Sequence, residues 1–310
     1  MTQRGLTLLL AIASLLANTN GLLAGGRVTM VATPLPGEWR NPFGIEIKDR
    51  NVWITTVTDS RVWHIDLDDE STKPSLVAGS GTLGYSGDGG LAIDAALNWP
   101  HEVRVDADGN LFVADTRNHV IRRIDGSSQQ ISTIVGGGVA GFAESKERVL
   151  FDQPHSIALL GDRLLIADTK NHRLREWSLT TGVTRTLSGT GAGKRPIDGA
   201  TMQASNLHGP RATAIDPSAV WLVLREGNSV WRIDSENSTL HHVAGTGRKG
   251  HSGDGGPAKQ ATLRGPKGIA SDGRGTLYVV DTENHVVRKI SNAASSSPSI
   301  QTVDLIDEDG

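Results

Sequence analysis

The sequence predicts an all-β protein, a β-propeller of four-stranded blades, and three observations carry the prediction. Prolines 42, 100, 154, 210 and 266 stand 54 to 58 residues apart, each ahead of a strand-like segment. Every interval holds four short runs rich in Val, Ile, Leu and Thr, divided by DG, DxxN and TG turn signals. No amphipathic helix of ten or more residues follows the N-terminal segment. A repeat of four short strands is the pattern of propeller blades, each of which buries its apolar faces only against neighbours. Five repeats are visible; a six-bladed ring with one fragmentary blade is the alternative.

Ahead of the repeats, Arg4 precedes an apolar run, LTLLLAIASLLA (Leu6 to Ala17), too short to span a bilayer comfortably. A basic start, a short apolar stretch and small polar residues read as an export signal over residues 1–24, cleaved after Ala17 or Ala24. The expected destination is secreted or periplasmic. Residues 27–306 form the propeller domain, with no later transmembrane stretch and a monomer as the expected state. GRVTMVA (Gly26 to Ala32) resembles the outermost strand of a blade and competes with SIQTVDL (Ser299 to Leu305) to close the last one.

The second repeat shows the full unit, HEVRVDADGNLFVADTRNHVIRRIDGSSQQISTIVGGG, and the third and fifth follow it closely. The first and fourth, VWITTVTDSRVWHIDL and VWLVLREGNSVWRID, keep the strand pattern but lose the Asp-Thr-x-Asn-His turn. Their Trp53, Trp63, Trp221 and Trp231 are read as core or inter-blade packing. The intact turns comprise Asp115, Asn118 and His119; Asp168, Asn171 and His172; and Asp281, Asn284 and His285. Asp and Asn side chains bond nearby backbone and tolerate left-handed backbone, so these residues are read as structural closures of the hairpin between strands two and three.

The pattern P-x-x-[IV]…L-x-[VI]-x-D-T-x-N-H-x-[IVL]-R resembles the NHL repeat and covers residues 42 to 305. The resemblance implies a propeller, commonly six-bladed, and leaves activity open, because one fold hosts many functions.

Composition narrows the functions. A net charge of -3 gives no general attraction to nucleic acid or an anionic membrane, and nucleic acid is not an expected partner. The chain has no cysteine, which excludes disulfide scaffolds, thiolate metal sites and a cysteine nucleophile.

Antiparallel strands put the turn between strands two and three, and the loop into the next blade, on one face. The residues after the prolines, Phe43, His101, His155, Arg211 and Lys267, are therefore expected to ring the axis mouth there. In the loops, Asp88, Asp198 and Asp254 stand twelve residues before a proline and are read as caps of a short helical turn. A calcium site is the alternative, but one carboxylate per loop is few against the six to eight oxygens calcium takes. Leu97, Phe151, Leu207 and Leu263, three before each proline but the first, where Trp39 stands, are expected to plug the loops into the core.

WPHEVRV and QPHSIALL are similar to the segments that supply zinc-binding histidines in the peptidyl-hydroxyglycine amidating lyase family. The resemblance implies His101 and His155 as metal ligands, with zinc as the cofactor; calcium is the metal a lactonase of this fold would use. The third position holds Phe43, Arg211 or Lys267, and His208 stands two residues before its proline. A catalytic zinc needs three protein ligands and an open position. Arginine and lysine instead favour an anion, so His101, His155, Arg211 and Lys267, with Lys249 and Arg264, form a candidate ligand-binding mouth. Two functions follow: a non-catalytic scaffold recognising a protein, peptide or glycan, and a metal-dependent lyase or lactonase.

Overall fold

The computed structural model describes residues 41–69, 73–217 and 219–303. The expected signal segment, Gly26 to Ala32, and the end of the chain from residue 304 lie outside them. Five antiparallel sheets of four strands follow one another in sequence order, each pairing its strands consecutively. Their innermost strands are Pro42–Lys48, Pro100–Val105, Pro154–Leu160, Pro210–Asp216 and Gly268–Ser271. Ser299–Val303 is the fourth strand of blade five, so that place is taken by the C-terminal candidate. One feature the repeat pattern did not announce is a small hairpin, Ala143–Glu144 with Val149–Leu150.

Alternation along each strand sends apolar side chains to both faces of a blade, where they meet the next blade. The four apolar clusters join blades one and two around Val103 and Val113, two and three around Phe112 and Ile166, three and four around Leu165 and Leu222, and four and five around Val223 and Val279. Leu97, Phe151, Leu207 and Leu263 each lie fully buried in one of them. Each such side chain contributes roughly 1.5–3 kcal/mol by leaving water. Among the described residues no cluster joins blade five to blade one. Tyr278, Val280 and Val287, on the outward face of blade five, are half-buried, whereas Phe112, Ala114 and Ile121 at the same places in blade two are fully buried.

In blades two and three the Asp-Thr-x-Asn-His turn fastens the blade twice. Its Asp and Asn hold the blade's own incoming loop: Asp115 Oδ1 accepts the Asn98 N–H at 2.7 Å, and Asn118 Nδ2 donates to the Gly84 carbonyl at 2.6 Å. Its Thr and His reach the next blade: Thr116 donates to the Pro154 carbonyl at 2.7 Å, and His119 Nδ1 accepts the Gln153 N–H at 3.1 Å. His172 does the same for Gly209 at 3.1 Å. In the degenerate blades Ser60 and Asn228 stand in for that histidine and accept from Trp99 and Gly265. In blade five Asp281 and Asn284 hold the incoming loop, while Thr282 bonds the Val280 carbonyl of its own strand.

A buried arginine completes the fastening. Arg122, Arg175 and Arg288, all with fully buried side chains, lie beside Asp115 (3.5 Å), Asp168 (3.2 Å) and Asp281 (3.6 Å). Each takes a second carboxylate from a loop: Asp88 at 2.7 Å, Glu144 at 3.0 Å and Asp254 at 2.9 Å. This corrects the capping role expected of Asp88 and Asp254. The 3-10 turns Ala92–Asp94 and Ala258–Gln260 begin at Leu91 and Pro257 with no side-chain cap, because both carboxylates are held by arginines. Asp198 accepts the His242 N–H and pairs with Lys259 at 3.1 Å. In blades one and four Trp63 and Trp231 occupy the arginine's place, and their indole N–H groups donate to Thr56 and Ser229. The inner aspartate and the arginine change together there, to Thr56 with Trp63 and to Leu224 with Trp231, so neither charge is buried without the other.

Candidate functional site at the axis

The step around each proline builds the site. The residue before it holds a left-handed φ in every blade: 58° at Asn41, 55° at Trp99, 52° at Gln153, 64° at Gly209 and 54° at Gly265. Three of these are not glycine, and left-handed backbone costs such residues roughly 1–2 kcal/mol. The residue after the proline then falls in a bulge. Pro100 opposes Asp115 and Glu102 opposes Ala114, so His101 is left over; His155 and Arg211 are left over in the same way. In blade one the register slips between Pro42 and Ile45, around Phe43. A bulge takes a side chain out of strict alternation and re-aims it.

Re-aimed, these side chains meet across the axis. The His101 ring lies edge-on to Phe43 at 4.4 Å and to His155 at 4.6 Å between centroids. The Arg211 guanidinium stands 5.2 Å from the centre of the Phe43 ring. Lys267, half-buried just ahead of the innermost strand of blade five, is within electrostatic reach of both His101 and Arg211. The other two expected cations go elsewhere: Lys249 and Arg264 are exposed and pair with Glu283 at 3.7 and 3.6 Å. They are therefore a solvated loop pair, not part of the mouth.

Burial and neighbouring charge set the protonation of the ring. His101 is 5% exposed, and burial, then the Arg211 cation, push it down to about 3. It is neutral at ordinary pH. Arg211 is 6% exposed and is lowered to about 9 by burial and then by Arg225. Burial, then Arg211, lowers Lys267. Deeper along the axis, Glu102 pairs with Arg104 at 2.5 Å, and Arg104 reaches Glu46 at 3.5 Å. Desolvation raises both glutamates above the usual carboxylate range.

Two residues that sequence reasoning passed over orient the histidines. The Trp99 carbonyl accepts from His101 Nδ1 at 2.8 Å, and Thr169 Oγ1 meets His155 Nδ1 at 2.9 Å. Their signal was present, one as the pre-proline residue and the other as the Thr of the repeated turn. The zinc fit fails on this geometry. No third ligand joins the two histidines: Arg211 stands over the Phe43 ring, His208 lies against His172 at 5.9 Å, and no group of three His, Asp or Glu able to hold a metal gathers among the described residues.

These features define a class of protein: a propeller whose loop-side axis is lined by bulged post-proline side chains. The NHL repeat pattern matches residues 97–124 and 151–177, and that of the teneurin NHL domain matches residues 223–303. The repeats matched, with the five blades, are those of an NHL-repeat β-propeller. It is similar to Protein SUPPRESSOR OF QUENCHING 1, chloroplastic, of Arabidopsis thaliana, 27% identical over 229 residues, 69% of this chain and 21% of that one. It is similar also to NHL repeat-containing protein 2 of Homo sapiens, 26% identical over 65% of this chain and 32% of that one. The chain thus spans a third or less of these relatives. Among solved structures it resembles the nidogen/laminin complex (TM-score 0.57, 14% identity, 84% of this chain and 79% of that one). It also resembles virginiamycin B lyase from Staphylococcus aureus (TM-score 0.54, 14% identity, 89% and 74%). At such identities the likeness is one of fold.

Proposed function

We propose that this chain is an exported binding scaffold, secreted or periplasmic, whose loop face recognises a protein, peptide or glycan. The observation that carries the reading is the convergence of Phe43, His101, His155 and Arg211 at the axis mouth. That set offers an aromatic edge, hydrogen-bonding groups and a cation, and it holds no nucleophile with a base and an orienting group. Export rests on the apolar run behind Arg4. The competing reading, a metal-dependent lyase or lactonase, starts from the same two histidines and meets the Arg211 cation where it needs a ligand.

Metal analysis after dialysis, with activity assays on lactones and hydroxyglycine-extended peptides, separates the two. The expected outcome is no stoichiometric zinc or calcium and no turnover, with a ligand captured on peptide or glycan arrays and released by Lys267→Glu. One zinc per chain, lost in the His101→Ala, His155→Ala double variant, would transfer the site to the enzyme reading.

A further inference from the structure

The buried arginines of this protein divide sharply. Arg122, Arg175 and Arg288 each lie against two carboxylates. Arg211, nearly as buried at 6% exposure, has no ion pair among the described residues, and its Nε, like that of the other three, is shut from solvent without a hydrogen-bond partner. The acids closest to its charge pair with other cations: Glu102 with Arg104 at 2.5 Å, and Glu226 through Oε1 with Arg225 at 2.7 Å, while Glu226 Oε2 is buried without a hydrogen-bond partner. An uncompensated buried guanidinium is costly, and its planar fork of donors matches the two oxygens of a carboxylate. Lys267 places a second positive charge beside it.

The histidines specify what accompanies that anion. The Trp99 carbonyl can only accept, so His101 Nδ1 carries the ring's single proton and Nε2 is a bare lone pair. Thr169 donates its hydroxyl proton to the Pro210 carbonyl at 2.6 Å, so it accepts from His155 Nδ1, and His155 Nε2 is likewise a lone pair. A ligand group facing these nitrogens must donate. An ammonium donor is repelled by Arg211 and Lys267; a hydroxyl is not.

We infer that the axis mouth is a sugar-acid site, with a carboxylate held by Arg211 and Lys267 and neighbouring hydroxyls donating to Nε2 of His101 and His155. The inference rests on the reading of the loop face as a binding face. It differs from the zinc arrangement in using both histidines as acceptors from the ligand.

The test is calorimetric titration of the full chain with glucuronate, glucose and inorganic phosphate, on wild type, Arg211→Gln and Lys267→Met. Saturable glucuronate binding is expected, absent with glucose and weakened at least about tenfold in either variant. Lys267→Met, at a half-buried position, answers the question if Arg211→Gln does not fold. Phosphate binding as tight as glucuronate would reduce the site to a bare oxyanion hole and overturn the inference. So would the lack of saturable glucuronate binding at millimolar concentrations, or equal affinity in both variants. A peptide or neutral glycan held equally well by wild type and both variants would also overturn it, while leaving the binding reading of the loop face intact.

Discussion

His119 Nδ1 accepts the backbone N–H of Gln153 at 3.1 Å, tying the turn of blade two to the pre-proline residue of blade three. Both residues hold left-handed backbone, φ 58° and 52°. The bond therefore secures two unfavourable conformations at once and fixes where the following His155 begins.

Breaking that bond tests its weight. His119→Ala leaves the Gln153 N–H unmet and is expected to destabilise by about 1–2 kcal/mol. His119→Asn is expected to lose less, since Asn228 performs the same task in blade four at 2.9 Å. Urea denaturation with a common slope checks both.

The left-handed pre-proline position gives a second comparison. Blades four and five place Gly209 and Gly265 there, whereas blade three places Gln153. Gln153→Gly is expected to be neutral or slightly stabilising, because glycine's extra chain entropy offsets the relief. Gln153→Val, branched at Cβ, is expected to cost about 1–2 kcal/mol. Thermal melts of the pair decide it.

The buried ion clusters predict a steep contrast between inner and outer carboxylates. Asp115→Ala strips Arg122 of its fully buried partner and is expected to cost about 3–5 kcal/mol. Asp88→Asn removes a partner that is 44% exposed and is expected to cost about 1 kcal/mol or less. The double change Asp115→Thr, Arg122→Trp, which copies Thr56 and Trp63 of blade one, is expected to recover part of the loss. Equilibrium denaturation of the three variants provides the measurement.

His101 predicts a pH dependence. Its folded value of about 3 lies below the ordinary value of 6.5, so below pH 6.5 the unfolded chain takes up a proton that the folded chain refuses. Stability from this group is fully present above pH 6.5 and is lost as pH falls toward 3. At pH 4.5 the loss amounts to about 2–3 kcal/mol, at 1.36 kcal/mol per pH unit. Denaturation at pH 7.5 and 4.5 should show that difference in wild type beyond what His101→Gln shows. Identical pH slopes in the two proteins would contradict the burial of a neutral imidazole.

The repeating architecture was legible in the sequence because its signals are local. Prolines at a steady interval, alternating apolar runs and the Asp-Thr-x-Asn-His turn announce strands and hairpins through near-neighbour chemistry alone. The plugging residues Leu97, Phe151, Leu207 and Leu263 were legible for the same reason. What only the tertiary structure decided involves residues far apart in the chain. Asp88 meets Arg122 across 34 positions, so its task as a counter-charge could not be told from a loop cap. Lys249 pairs with Glu283 whereas Lys267 comes within electrostatic reach of His101 and Arg211, a difference set by distances across blades. That Arg211, among the buried arginines of the described residues, has no ion pair depended on Glu102 pairing with Arg104 and Glu226 with Arg225. Charge pairing is settled by distances across blades, and a linear order of residues does not contain those distances.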